Sequence, residues 1–319
     1  MLRILTVAVL AALPHVAFAQ AYPSRPITML AGFAAGGSVD TIARIVAKKL
    51  SDNLGQNVVV DNKAGAGGVV ATQQIARSTP DGYTILLAAV GSLAVSPHLV
   101  ANIGYDPLRD LAPITMAVVF SNVIVAHPSF PAKTLAEFVQ LAKASPGKIA
   151  YGSSGIGGIG HLAGELFALT AGIEITHVAY KGGAPAMQDL LGGQIPVIFG
   201  TPVSTLPHIK SGKIRALATT GLTRAAILPD VPTVAESGYP GFEAINWYAY
   251  VAPARTPQDV IARLNRELTA VLKAPEVREQ LDVHGVEAKP STPEELAKFM
   301  QSELATWGRV VKAAKIQPN

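Results

Sequence analysis

Val39, Ile42, Ala43, Val46, Ala47 and Leu50 recur at intervals of three and four residues. That spacing gathers them on one face of a helix. Asp40, Arg44 and Lys48 fall four apart on the other side, where ion pairs support an exposed face. The apolar run over 27–32 just upstream predicts a buried strand. Strands are also predicted over 57–60 and 83–89, with a helix through Gln73 and Ile75 and a turn at Asp81-Gly82 between them. Residues 112–127 form one long β-rich passage. A helix over 134–144 follows, opened by Thr134 and Glu137 as a capping box. Next come a strand over 148–152, a glycine-rich loop and a helix from about Gly160. A strand over 175–180, a helix over 185–191 and strands over 196–199 and 214–219 close this block. Such alternation predicts the α/β class.

The tail changes character. Thr256-Pro257-Gln258-Asp259 and Thr292-Pro293-Glu294-Glu295 each place a hydroxyl at a cap, a proline first in the helix and an acid third. Val260, Ile261, Leu264, Leu268, Val271 and Leu272 line one face of the first of these helices. With little strand of its own, the tail is expected to pack on the N-terminal unit. The predicted organisation is therefore a discontinuous lobe of 21–122 plus 243–319 and a second lobe of 123–242. Two chain crossings between them would form a hinge.

The first nineteen residues stand apart. Arg3 precedes an apolar stretch over 4–13, which ends at Ala17-Phe18-Ala19. This is the layout of a cleaved secretory leader, 1–19, and the stretch is too short to cross a bilayer. The expected product is a soluble periplasmic protein. The chain has no cysteine, which excludes a disulfide scaffold, a thiol nucleophile, a cysteine metal site and lipid attachment through cysteine. Formal charge is +4, without the basic stripe that nucleic-acid binding requires.

Three loops between strand and helix share one design. The first is Phe33-Ala34-Ala35-Gly36-Gly37-Ser38, with Asp40 in the following turn. The second is Ser153-Ser154-Gly155-Ile156-Gly157-Gly158, running on to His161. The third is Tyr180-Lys181-Gly182-Gly183. Glycine lets backbone approach a ligand closely, and free amides at a helix start attract an anion. With no arginine in these loops, the expected chemistry is carboxylate capture by amides and hydroxyls. Asp40 fits dipole stabilisation as well as ligand contact. His161 fits ligand donation or loop packing, and Trp247 fits a cleft wall or the core.

Enzyme readings compete poorly. Gly155-x-Gly157-x-x-Gly160 matches a dinucleotide fingerprint, with Glu174 near the expected acidic position. It sits in mid-chain, however, crowded by Ser153 and Ser154. Residues 152–155 are not a G-x-S-x-G elbow. His98, His127, His161, His177, His208 and His284 show no metal spacing. No cofactor, metal or catalytic residue is expected.

A set of longer motifs points further. Tyr22-Pro23-Ser24-Arg25-Pro26-Ile27, Ala64-Gly65-Ala66-Gly67-Gly68, Pro80-Asp81-Gly82-Tyr83-Thr84 and Gly104-Tyr105-Asp106-Pro107-Leu108 appear in order. His161-Leu162-Ala163-Gly164-Glu165, Leu190-Leu191-Gly192-Gly193-Gln194 and Leu228-Pro229-Asp230-Val231-Pro232-Thr233 follow. Together they make the chain after the leader resemble the Bug (TctC-like) receptors of tripartite tricarboxylate transport systems. The resemblance implies a type II periplasmic-binding-protein fold, with ligand between two lobes and one carboxylate held by the loops at 34–38 and 153–158. Ser92 and Thr201 complete the expected contact set. It implies di- and tricarboxylate, acidic amino acid or aromatic carboxylate ligands and a monomer that serves permease subunits, or a signalling partner as the alternative. Two positions depart from the family. Ala35 stands where proline usually precedes the paired glycines. Gly200-Thr201-Pro202 stands where an acid is often found, which disfavours an amino acid ligand.

Overall fold

The computed structural model describes residues 22–313; the leader over 1–19 lies outside them. The strands divide between two sheets. The N-terminal part supplies β1 (Ile27–Ala31), α1 (Ser38–Leu54), β2 (Val58–Asn62), α2 (Val69–Ala76), β3 (Thr84–Ala89), α3 (Ser96–Leu99) and β4 (Leu111–Ser121). The middle supplies β5 (Val123–Ala126), α4 (Leu135–Ala144), β6 (Ala150–Ser153), α5 (Ile159–Ala171), β7 (Thr176–Ala179), α6 (Gly183–Leu191), β8 (Val197–Gly200), α7 (Pro202–Lys210) and β9 (Arg215–Thr219). The chain then returns through β10 (Ile245–Pro253), α8 (Gln258–Lys273), α9 (Pro275–Val283), β11 (Glu287–Ala288) and α10 (Pro293–Ala313).

The first sheet runs β11-β4-β10-β3-β1-β2 and the second β7-β6-β8-β5-β9. β1 lies between two parallel neighbours, β2 and β3. β6 likewise lies between parallel β7 and β8. In each sheet an antiparallel strand, β10 or β5, follows that parallel trio. Each sheet therefore has a switch point at the C-terminal end of β1 or β6, where open α/β sheets leave a crevice.

The predicted β passage over 112–127 is two strands in different sheets, with Asn122 between them. The apolar run is continuous, so its pattern does not reveal the change of sheet. β10 shows in the sequence only as an aromatic cluster; it is a central strand, buried on both faces. Trp247, Ala249 and Val251 enter one core and Tyr248, Tyr250 and Ala252 the other. Such a strand has no polar alternation to betray it. α7 escaped prediction because Pro207 lies inside it, and proline ordinarily reads as a helix breaker.

α1, α8 and α9 cover one face of the first sheet. α2 and α10 cover the other. Of the two predicted tail caps, Thr292 forms the full box with Glu295. The Thr256 hydroxyl donates to the Pro253 carbonyl instead, and α8 starts without a side-chain cap.

Candidate functional site

The two switch points meet. Between the sheets lies a narrow cavity of about 20 Å³, lined from the first sheet by Phe33, Gly37, Ser38, Val39 and Tyr248. Ser154, Ile159, Gly160, Gly183, Thr201 and Ser204 line it from the second, and Asn122 from the crossing between β4 and β5. Four helices, α1, α5, α6 and α7, thus present their N-terminal turns to one space. No Asp, Glu, Lys, Arg or His is among the lining residues.

The glycine loops aim those helix ends, and several of their own amides are spent in doing so. In the first loop the Ala34 amide donates to the Lys181 carbonyl across the cleft, and Gly37 donates weakly to Ala34. The Gly36 amide donates to Asp40 Oδ2 at 2.9 Å. In the second loop Gly155 donates to Ser153 Oγ, Gly157 to His161 Nδ1 and Gly158 to the Gly155 carbonyl. Further amides stay free in the first helical turns. α1 makes its first helical bond from Thr41 and α5 from Leu162. The amides of Ser38, Val39 and Asp40, and of Ile159, Gly160 and His161, have no acceptor among the described residues. A helix start always leaves such a set.

Asp40 is a brace. Besides holding Gly36, it accepts from Arg44 at 2.9 Å. Burial pushes its pKa up, but the Arg44 and Gly36 bonds prevail and hold it below the usual carboxylate value. Ser38 is buried, and its hydroxyl shares a 2.6 Å bond with Tyr248. Ala35 and Gly36 face solvent.

His161 is also a brace. It is 2% exposed and stacks on His177 at 4.1 Å. His177 Nε2 in turn meets Ser153 Oγ at 2.7 Å. Burial pushes the His161 pKa down to about 4. Burial, and then the charge of His161, push His177 down to about 3. Both rings are neutral at neutral pH, as a ring nitrogen accepting an amide must be. The second loop also touches the segments that flank α2 and β3. A Cβ on Gly67 would sit 2.3 Å from the Ile156 carbonyl oxygen, and one on Gly91 would sit 2.7 Å from that of Gly157. Glycine at both points is what lets the loop dock.

Among the predicted contacts, Phe33, Gly37, Ser38, Ser154 and Thr201 reach the cavity. Trp247 does not: it is in the core on the far face of β10, donating to Glu303 at 2.8 Å. Its neighbour Tyr248 takes the cleft side, because successive strand residues point opposite ways. Ser92 is buried and donates to Ala89, outside the lining. Tyr180 donates to Asp189, and the Lys181 side chain is exposed. Asn122, Ser204 and Tyr248 were missed. The clues were an asparagine inside an apolar run, a serine after the Gly200-Thr201-Pro202 helix start and the residue beside Trp247.

Among the described residues no helix is long and apolar enough to cross a membrane. The model of the tripartite tricarboxylate transporter family receptor, TctC, matches residues 42–316. Protein BugT of Bordetella pertussis (strain Tohama I) is 40% identical over 295 residues, which are 92% of this chain and 90% of BugT. The structure of the periplasmic binding protein BugD superposes with a TM-score of 0.90 at 38% identity, covering 93% of this chain and 100% of BugD. A Rhodopseudomonas palustris protein solved with adipate gives 0.90 at 34% identity, covering 93% and 100%. The chain belongs to the TctC family of tripartite tricarboxylate transporter receptors.

Proposed function

We propose that this protein is a periplasmic receptor that closes around a small organic carboxylate and delivers it to the membrane permease subunits of a tripartite transporter. The convergence of four helix N-termini on a space without charged side chains carries this reading. Each helix start acts as roughly +0.5 charge, so four together amount to about two positive charges. That suits a dicarboxylate better than a cation, a sugar or a zwitterion. Direct donors come from the first turns of α1 and α5, one in each sheet's layer. The adipate bound to a 34% identical relative is consistent with the same ligand class.

Binding requires opening. A cavity of about 20 Å³ accommodates little more than a water molecule. The crossings at Asn122 and at 220–244 are where the lobes would rotate, and release of the Ala34–Lys181 bond would mark the open form.

A thermal-shift screen with mono-, di- and tricarboxylates, followed by calorimetry, tests the proposal. A ligand at a hundred times its Kd stabilises by about 2.7 kcal/mol, or roughly 5–10 °C at 2–4 °C per kcal/mol. Dicarboxylates should give the largest shifts. Silence from all three classes at millimolar concentration sinks the reading. Gly37→Val places a branched side chain beside the Ala34 carbonyl and the Gly183 amide, 3.3 and 3.8 Å from the added Cβ. It should abolish the shifts while the protein still melts cooperatively.

A further inference from the structure

Most polar side chains around the cavity are already satisfied by one another. Ser38 pairs with Tyr248. Thr201 and Ser204 pair at 3.1 Å, and Ser204 also donates to the Thr201 carbonyl. Asn122 is different. It is 0% exposed and lines the cavity. Neither its Nδ2 nor its Oδ1 has a hydrogen-bond partner among the described residues. An asparagine amide carries two donors and an acceptor with two lone pairs, and leaving them unmet in a buried site is unfavourable.

The backbone holds this side chain in place. The Asn122 amide donates to Thr220 Oγ1 at 2.8 Å, and the Thr220 amide returns a bond to the Asn122 carbonyl at 3.0 Å. Thr220 Oγ1 donates in turn to the Ala244 carbonyl at 2.7 Å. Asn122 therefore stands where both crossing segments are stitched together. The apolar residues that share the lining, Phe33, Ile198 and Phe199, offer nothing for it to pair with.

We propose that Asn122 is the specificity-determining residue of the cleft, selecting carboxylates that carry a second oxygen function over those that end in hydrocarbon. This rests on the carboxylate-capture reading above. The anchored carboxylate takes the amides at the starts of α1 and α5. The far oxygen takes the Asn122 Nδ2 donors, and an apolar tail would leave that amide stranded.

Adipate and hexanoate share a six-carbon chain and differ only at the far end, so they isolate this contact. Calorimetry of the wild-type protein should give adipate at least about a tenfold advantage, the size of one hydrogen bond to a charged acceptor. Asn122→Leu keeps the volume and removes the pairing groups. It should reduce that advantage to about twofold, chiefly by weakening adipate, with the melting temperature of the free protein little changed. An equal preference in wild type, or a tenfold preference that survives in Asn122→Leu, overturns the proposal and leaves carboxylate capture standing. Failure of wild type to bind either acid, or any carboxylate of the screen, removes both. If Asn122→Leu does not fold, Asn122→Asp serves. It keeps the shape but exchanges donors for a negative charge, so adipate should lose at least about a hundredfold and fall below hexanoate. Retained adipate preference in that variant also overturns the proposal.

Discussion

The two glycine loops face each other across one cavity, yet they are held by opposite means. The first is braced by charge near solvent: Asp40 grips the Gly36 amide and pairs with Arg44, whose side chain is 55% exposed. The second is braced by buried neutral rings: His161 accepts from Gly157, and His177 meets Ser153. It is also wedged against Gly67 and Gly91 of the other lobe. An ion pair with one exposed partner is partly screened, whereas a buried network fails sharply when one member changes charge. Loss of the first loop's brace should therefore be tolerated better than loss of the second's.

Among changes to what holds the two loops in place, blocking the docking of the second should have the largest effect. Gly91→Ala places a Cβ 2.7 Å from the Gly157 carbonyl oxygen, a clash that opening of the cleft would relieve. If the closed form falls to about 1% of the population, affinity falls about a hundredfold. Calorimetry on the variant measures this, and unchanged affinity would mean that binding does not need this contact.

Acid should act next, and on the second loop first. The His161 and His177 pKa values lie near 4 and 3, below the value near 6.5 in an unfolded chain. Between those values the unfolded chain binds more protons, so stability is complete above about pH 6.5 and declines as pH falls towards 4. The slope is up to about 1.4 kcal/mol per pH unit for each histidine. Melting temperatures across that window should fall in wild type and flatten in His161→Gln. Identical curves would place the acid sensitivity elsewhere.

The β10 neighbours sharpen the contrast between core and cleft. Tyr248→Phe removes the partner of the Ser38 hydroxyl at the start of α1 and should weaken ligand binding by about threefold to tenfold. Trp247→Phe loses the bond to Glu303 and should lower stability by about 1 kcal/mol, with affinity within about twofold. Calorimetry and denaturant titration of both variants separate the two roles. Smallest of all should be Asp40→Asn. It should cost at most about 1 kcal/mol, and the cost should shrink in high salt because Arg44 is largely solvated. A larger, salt-insensitive loss of affinity would instead bring Asp40 into the binding chemistry.

Much of this architecture was legible in the chain. The stripe from Val39 to Leu50, the Thr292–Glu295 cap and the glycine loops are local features, and local geometry follows from a few neighbouring residues. The alternating α/β pattern and the ordered motifs led to the fold and the family. Three things were not legible, for one reason. The break at Asn122 between sheets, the face of β10 that meets the cleft and the true partners of the loop amides all depend on residues far away in sequence. Trp247 and Tyr248 are equally aromatic, and only the register of β10 between β3 and β4 decides which is core. Asn122 is one polar residue in an apolar run until the two sheets are brought together around the cavity. The sequence by itself determined that helix starts would follow tight glycine turns. Tertiary structure alone decided which amides remained free, because a hydrogen bond formed with a distant partner removes a donor that local pattern counts as available.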